Sequence, residues 1–416
     1  WSLGIEREIT NNSAVEVRYV GNHGSQLFQT INANPFIGDL ATQFPNLVPA
    51  GLTPCPASQA FDANAVGRIN CNQGVLLSRA NTGFSNYNAL QSEFRANNLF
   101  KQLTVRAAYT FSKTLDNSSE IFPTFAGGNT IDVAQNPLNI TSAEYGNSGL
   151  DFPHSFSLTA VEELPFFKDQ HGFLGHVIGG WELSSSYIWE SGQTFTPLNI
   201  LLPASQSGDF FDNAFLAQFE QGLFPARPFM GNLSAPVDSV GIFQGDACGA
   251  FIAPSDQPTA PLCAGGLTNS TLVSLNNINA ALNNPNAPFN PQGYNPVGVT
   301  NNQVRYIANT GIAETVFGTP FGNAPRNVGR DAPLNYLNAS VTKRVKFNER
   351  SSFEFRFTAQ NALNHPNFVS VTPFVETAGN NTFGNTFALP QFTSTSIPGS
   401  NLAASRRFFV GGVFRF

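Results

Sequence analysis

The last eleven residues, Arg406 to Phe416, constrain the fold more than any other stretch; they read Arg-Arg-Phe-Phe-Val-Gly-Gly-Val-Phe-Arg-Phe. Taken in steps of two, Phe408, Val410, Gly412, Phe414 and Phe416 share one face, and Arg407, Phe409, Gly411, Val413 and Arg415 share the other. Successive side chains of a strand alternate between faces, so this is a strand with one aromatic side and one side that carries arginines. Such a strand ends either a soluble sheet or a sheet that stands between lipid and water, and by itself it does not separate the two.

The remainder of the chain does. Charged residues make up 12% of 416, where a soluble domain carries about 25%. Mean hydropathy is only −0.11, and no run approaches the ~20 apolar residues of a membrane helix. Low charge without an apolar run fits alternating strands in which every second residue faces lipid. The 40 Phe against 1 Met suit pleated faces and the aromatic girdles of membrane barrels. A net charge of −6 argues against a nucleic-acid partner.

Period-two segments recur at Trp1–Ile9, Ala14–Gly21, Phe84–Asn97, Lys101–Lys113, Phe152–Leu164, Gly180–Ser191, Leu334–Phe347 and Ser352–Asn361, which makes about nine strands with the terminal one. Their connections run short, long, short, long, medium, very long, short, long. Tight turns at one end and long loops at the other are the habit of an outer-membrane barrel. The expected fold is therefore all-β: an antiparallel meander forming the C-terminal portion of a transmembrane β-barrel, with long extracellular loops and short periplasmic turns. The loops span 22–83, 114–151, 192–333 and 364–404 of a single partial barrel domain covering 1–416, and the longest shows no second domain with its own core. The chain opens on Trp1 inside what reads as a strand, so a preceding N-terminal part is expected.

Glu16, Arg18, Glu93, Arg95, Arg106, Glu182, Glu190, Arg344, Glu354 and Arg356 all fall on the face opposite the aromatic one. On the lipid side each would cost about 2–4 kcal/mol near the midplane, so the set argues for a wet lumen. Any single member reads as solvated, mutually paired charge in a wet interior; the sharper alternative is a ligand path or a docking surface for a plug. Phe408, Val410, Phe414 and Phe416 form the terminal aromatic signal that such barrels show to their assembly machinery.

Four cysteines fall into two local pairs inside polar loops, Cys55 with Cys71 and Cys248 with Cys263. A disulfide closing a loop of that size contributes about 3 kcal/mol on chain-entropy arguments and implies an oxidising compartment. Neither interval holds a Cys-x-x-Cys or a His, so zinc is not expected. Asp151, His154 and Ser155 invite a hydrolase reading, but no Gly-x-Ser-x-Gly elbow is present, and neither catalysis nor a cofactor is expected. Asp209, Asp212 and Asp246 have no calcium-loop spacing.

Several segments resemble the C-terminal barrel of TonB-dependent outer-membrane receptors, in particular the Oar-like group with a carboxypeptidase-regulatory-like N-terminal domain. The carriers include Trp1-Ser2-Leu3-Gly4-Ile5, Tyr19-Val20-Gly21-Asn22-His23-Gly24, Tyr109-Thr110-Phe111-Ser112-Lys113, Asp151-Phe152-Pro153-His154-Ser155-Phe156, Gly180-Trp181-Glu182-Leu183 and Asn361-Ala362-Leu363-Asn364-His365-Pro366-Asn367-Phe368. They occur in order along the whole chain. The resemblance implies a barrel of about 22 strands with a plugged lumen, of which this chain supplies the last nine. It also implies the partners: lipid bilayer, barrel-assembly machinery, TonB, a plug domain that has no counterpart here, and a small-molecule, glycan or peptide ligand at the outer loops. Import across the outer membrane is the expected function. A surface adhesion or structural barrel without import is the alternative, and a secreted protein that assembles through open strand edges is a remoter one.

Overall fold

In the computed structural model the described residues are 1–74, 76–99, 102–119, 134–199, 226–251, 260–263, 270–282, 295–348, 350–380, 386–388, 390–392 and 405–416. Nine strands form the main sheet: β1 (Ser2–Thr10), β2 (Ser13–Asn32), β3 (Leu77–Leu99), β4 (Leu103–Asp116), β5 (His154–Glu163), β6 (Trp181–Glu190), β7 (Leu334–Lys346), β8 (Ser352–Gln360) and β9 (Arg407–Arg415). They pair in sequence order, each antiparallel to the next, and Gly146–Asn147 adds a two-residue strand beside β4. Among the described residues no pairing joins β1 to β9. No described helix is long and apolar enough to cross a membrane; the strands have the length for it.

The register carries the period-two pattern across the sheet, because directly paired residues share a face. Leu3 pairs Tyr19, Tyr19 pairs Leu90 and Leu90 pairs Phe111. At the other edge Val341 pairs Phe357, which pairs Val410. These chains of partners make one aromatic and aliphatic face whose large side chains, Leu3, Tyr19, Leu90, Phe111, Phe357 and Val410 among them, are exposed. The short turns have local causes. Asn348 Oδ1 accepts from the Arg350 and Ser351 backbone N–H groups at 2.9 and 2.6 Å, an Asx turn that reverses β7 into β8. Asn98 sits at φ 56° at the end of β3, where the register shifts just before the turn into β4, a conformation asparagine tolerates.

Two expectations are corrected. The loop read as 22–83 is shorter, because β2 runs on to Asn32 and β3 begins at Leu77. With 20 and 23 residues this hairpin stands well beyond the ~9–11 residues a tilted strand needs to cross a bilayer. Its outer part is polar, so period-two hydrophobicity does not mark it, and its register breaks around Leu27. The connection 192–333, read as having no core, does build one, together with the last long loop. Short strands order as Leu272–Ser274, Val240–Phe243, Tyr306–Ile307 and Phe229–Met230. Helices α3 (Gln244–Phe251), α4 (Leu275–Leu282) and α5 (Gly311–Phe317) lie in the same connection. Val240, Cys248, Leu262, Ile278 and Tyr306 are buried together with Phe387, which the last long loop supplies. Among the described residues the other α-helices are α1 (Gly38–Gln43), after β2, and α2 (Gly172–Ile178), between β5 and β6. Asp209 and Asp212 lie outside the described residues.

Candidate functional site: a charged strand face under a folded loop body

The register places all ten charged candidates on one face. Glu16 stands opposite Glu93 and Arg95 opposite Arg106; Glu190 stands opposite Ser155, Glu182 opposite Thr342, and Arg344 opposite Glu354. Two groups of them come together. Over β1–β4, Arg95 reaches Glu6 at 2.7 Å, Glu93 at 3.5 Å and Glu16 at 3.8 Å. Arg106 grips Glu93 at 2.8 and 3.2 Å, and Arg18 lies 3.7 Å from Glu16. The like-charged cross-strand pair Glu16–Glu93 is thus offset by three arginines. A cavity of about 180 Å³ opens here, lined by Glu16, Arg18, Glu93 and Thr110. Over β7–β9, Glu354 is buried and collects Arg356 at 3.0 Å, Arg344 at 3.3 Å and Arg415 at 3.7 Å.

Glu182 and Glu190 join neither group. Glu182 lines a larger cavity of about 290 Å³ at the short-turn end, with Glu163, Lys168, Arg344 and Lys346. Glu190 accepts from Ser155 Oγ at 3.3 Å. Glu6 and Arg415 belong to the two groups although they were not among the candidates; alternation alone would have found both. Among the described residues four charges break the pattern and fall on the aromatic face near strand ends: Arg7 opposite Val15, Lys113 two residues past Phe111, Glu162 opposite Leu103 and Leu183, and Lys343 opposite Trp181 and Phe355.

A folded body is attached at the long-loop end. Arg326 ion-pairs with Asp116 at the end of β4, and both side chains are buried. Arg326 also donates to the Asp116 carbonyl at 2.6 Å, the Glu144 carbonyl at 3.0 Å and Ser119 Oγ at 2.9 Å. Arg227 pairs Glu144 at 3.0 Å, again with both buried. Arg330 Nη2 meets Asp151 at 2.8 Å, and Lys113 meets it at 3.1 Å from β4. Asp151 is therefore engaged by cations, while His154 Nδ1 bonds Tyr109 Oη at 2.7 Å and Ser155 turns to Glu190. The three do not line up as a relay. No sequence period marks Asp116, Glu144, Arg227 or Arg326, so pattern reading had no means of finding these pairs.

Both cysteine pairs are disulfides, Cys55–Cys71 and Cys248–Cys263, each within a long connection. Beside the second, Asp246 on α3 caps α5 from outside: it accepts from Thr310 Oγ1 and, at 3.1 Å, from the Ile312 backbone N–H, where a carboxylate also meets the positive end of the helix. Burial nonetheless holds Asp246 above the usual carboxylate range. Glu314, one turn into α5, is pushed up to about 8 by burial and then by Asp246.

Phe408, Val410 and Phe414 pair with Ala359, Phe357 and Phe353 on the aromatic face. Phe408 stacks on Phe357 at 5.5 Å, and Phe414 lies 6.1 Å from Phe416. All four residues of the terminal signal are exposed.

Among solved structures, the chain is similar to the outer membrane transporter YddB from Escherichia coli, at 9% identity and a TM-score of 0.39, over 100% of this chain and 32% of that one. It is also similar to the siderophore receptor PiuA from Acinetobacter baumannii (8%, TM-score 0.29, 100% and 35%) and the ferric-catecholate import receptor Fiu from E. coli K12 (9%, 0.24, 86% and 32%). The chain thus spans about a third of the length of these proteins, and at such scores the likeness carries no functional weight. No curated protein matches. The model of the outer membrane beta barrel domain matches residues 1–254 and 260–398, nearly the whole chain. With its nine-strand meander and its split into an apolar and a charged face, the chain belongs to the outer membrane β-barrel domain family, and its place is the bacterial outer membrane.

Proposed function

We propose that this chain is part of the wall of a TonB-dependent receptor of the Oar-like kind, a single partial barrel domain whose plug lies elsewhere in the protein. The long loops face outward and bind a scarce solute. The charged strand face lines the path that opens when TonB displaces the plug, and the exposed terminal aromatics serve assembly. The observation that carries the reading is the seating of the loop body: buried ion pairs Arg326–Asp116 and Arg227–Glu144 fix a folded body at the long-loop end of a wall whose one face carries the charges. A loop set used only to join strands needs neither buried ions nor a core.

The test is solute uptake by whole cells with and without the complete gene, across small-molecule, glycan and peptide nutrients. Loss of uptake of one solute, restored by the gene and abolished by collapsing the proton gradient, is the expected result. Unchanged uptake of every solute overturns import and leaves surface adhesion by the disulfide-pinned loops.

A further inference from the structure

We infer that the connection between β5 and β6 is a membrane anchor: helix α2 lies in the lipid boundary at the short-turn end of the wall, with its apolar stripe among the acyl chains. Phe173, Leu174, Val177 and Ile178 stand at positions i, i+1, i+4 and i+5 of α2, an arc of roughly 140° at helical spacing. The opposite side carries Gly172, Gly175 and His176. Phe173 is 83% and Leu174 62% exposed, and Phe166 and Phe167 beside them are exposed too. The orientation is built in. Gly175 is the buried residue of α2, and a Cβ there would stand 2.7 Å from the Gln170 carbonyl carbon. The small side of the helix therefore packs against its own turn, and the apolar side is turned out.

The side and the height of the helix are fixed by two residues of the aromatic face. Trp181 Nε1 donates to the Val177 carbonyl at 3.0 Å. Lys343 Nζ donates to the same carbonyl at 3.2 Å and to the Gly179 carbonyl. The ammonium lies 5.1 Å from the centre of a Trp181 ring. Trp181 and Lys343 are direct cross-strand partners, so the last turn of α2 touches the lipid side of the wall. A lysine on that face is tolerated where the wall leaves the hydrocarbon, and a tryptophan with a bonded N–H belongs at headgroup level. Both mark the same height, and α2 sits at it. The apolar stripe thus continues the lipid-facing band of an outer-membrane wall, which makes lipid its occupant; interfacial helices with one apolar face lie at this depth. Trp181, Lys343 and α2 form one clamp that sets how deep the wall sits.

The four native cysteines are bonded in pairs, so Phe173→Cys and His176→Cys each offer one thiol for an environment-sensitive dye. The full chain is folded into phosphatidylethanolamine–phosphatidylglycerol vesicles that carry bromine at shallow or deep acyl positions. The dye at position 173 is expected to be quenched most by shallow bromine and to be at least five-fold less accessible to iodide than the dye at 176. Equal iodide quenching at the two positions overturns the anchor, and so does protection at 173 without lipid quenching, which would point to a protein partner. Leu174→Cys, on the same stripe, gives the same reading if Phe173→Cys does not fold. The outcome is independent of transport: a wall that imports nothing would still show it.

Discussion

The strand wall and the loop body are built on opposite rules from one chain. In the wall the large apolar side chains are outside: Phe355 and Phe357 are exposed, while Glu354, next to Phe355 on the other face, is buried under arginines. In the loop body Tyr306, Phe387 and Ile278 are inside, as in a soluble protein. Ion pairs differ too. Arg95 and Glu6 on the wall are both open to solvent, while in Arg326–Asp116 and Arg227–Glu144 at the seat of the loop body both partners are closed from it. The wall takes its stability from ladder hydrogen bonds and from lipid; the body takes its own from packing, the Cys248–Cys263 disulfide and desolvated charge. The difference teaches that exposure of an aromatic has no fixed meaning until the solvent on that face is known.

Four perturbations set the regions against each other, in falling order of effect. Asp116→Ala leaves Arg326 buried without its partner, which costs about 3–5 kcal/mol. The loop body should become open to protease on intact cells while the unheated gel mobility of the wall stays folded; loss of both would show the two to be one cooperative unit. Phe357→Arg puts a charge on the lipid face in the middle of β8, at about 2–4 kcal/mol. The urea midpoint of vesicle-folded protein should fall with no change in loop protection.

Glu314 gives the pH dependence. Its folded pKa of about 8 lies above the ordinary 4.5, so the folded body binds this proton more tightly than the unfolded chain does. Its contribution is full below about 4.5 and is lost as pH rises through about 8. Thermal melting of the loop body should decline across that window, by on the order of 2 kcal/mol since a buried carboxyl draws in water as it ionises, and Glu314→Gln should flatten the decline. Smallest is Arg95→Ala. Arg95 and Glu6 are half-open to solvent and two further arginines remain near Glu16 and Glu93, so about 1 kcal/mol or less is expected in the same urea assay. A larger loss would mean that the wall's charge group is wired like the body's.

The wall was legible because its code has a period of two and repeats in every strand: Phe353, Phe355 and Phe357 against Glu354 and Arg356 is a complete statement of which side is wet. Lys343 was legible on the same terms, lying between Val341 and Val345, yet its height at the strand end only becomes clear once Trp181 is seen opposite it. The loop core was not legible. Val240, Cys248, Leu275, Tyr306 and Phe387 are drawn from five separate segments, each too short to show any period. The α2 stripe fell between: two turns of helix are too few for periodicity to stand out from a polar, glycine-rich connection. The outer half of β2 and β3 was missed because hydrogen bonding, not burial of apolar faces, continues the pairing there.

The grip of Arg326 on Asp116 joins residues 210 positions apart, Gln135 reaches the Gly322 carbonyl across 187, and Arg330 holds Asp151 across 179. Contacts that distant in sequence form late, since the chain entropy they remove is spent before any of them is made. The seating of the loop body must therefore wait until six strands and most of the longest connection are in place. The cell-surface face of this protein would be the last thing it acquires, after the membrane has already accepted its wall.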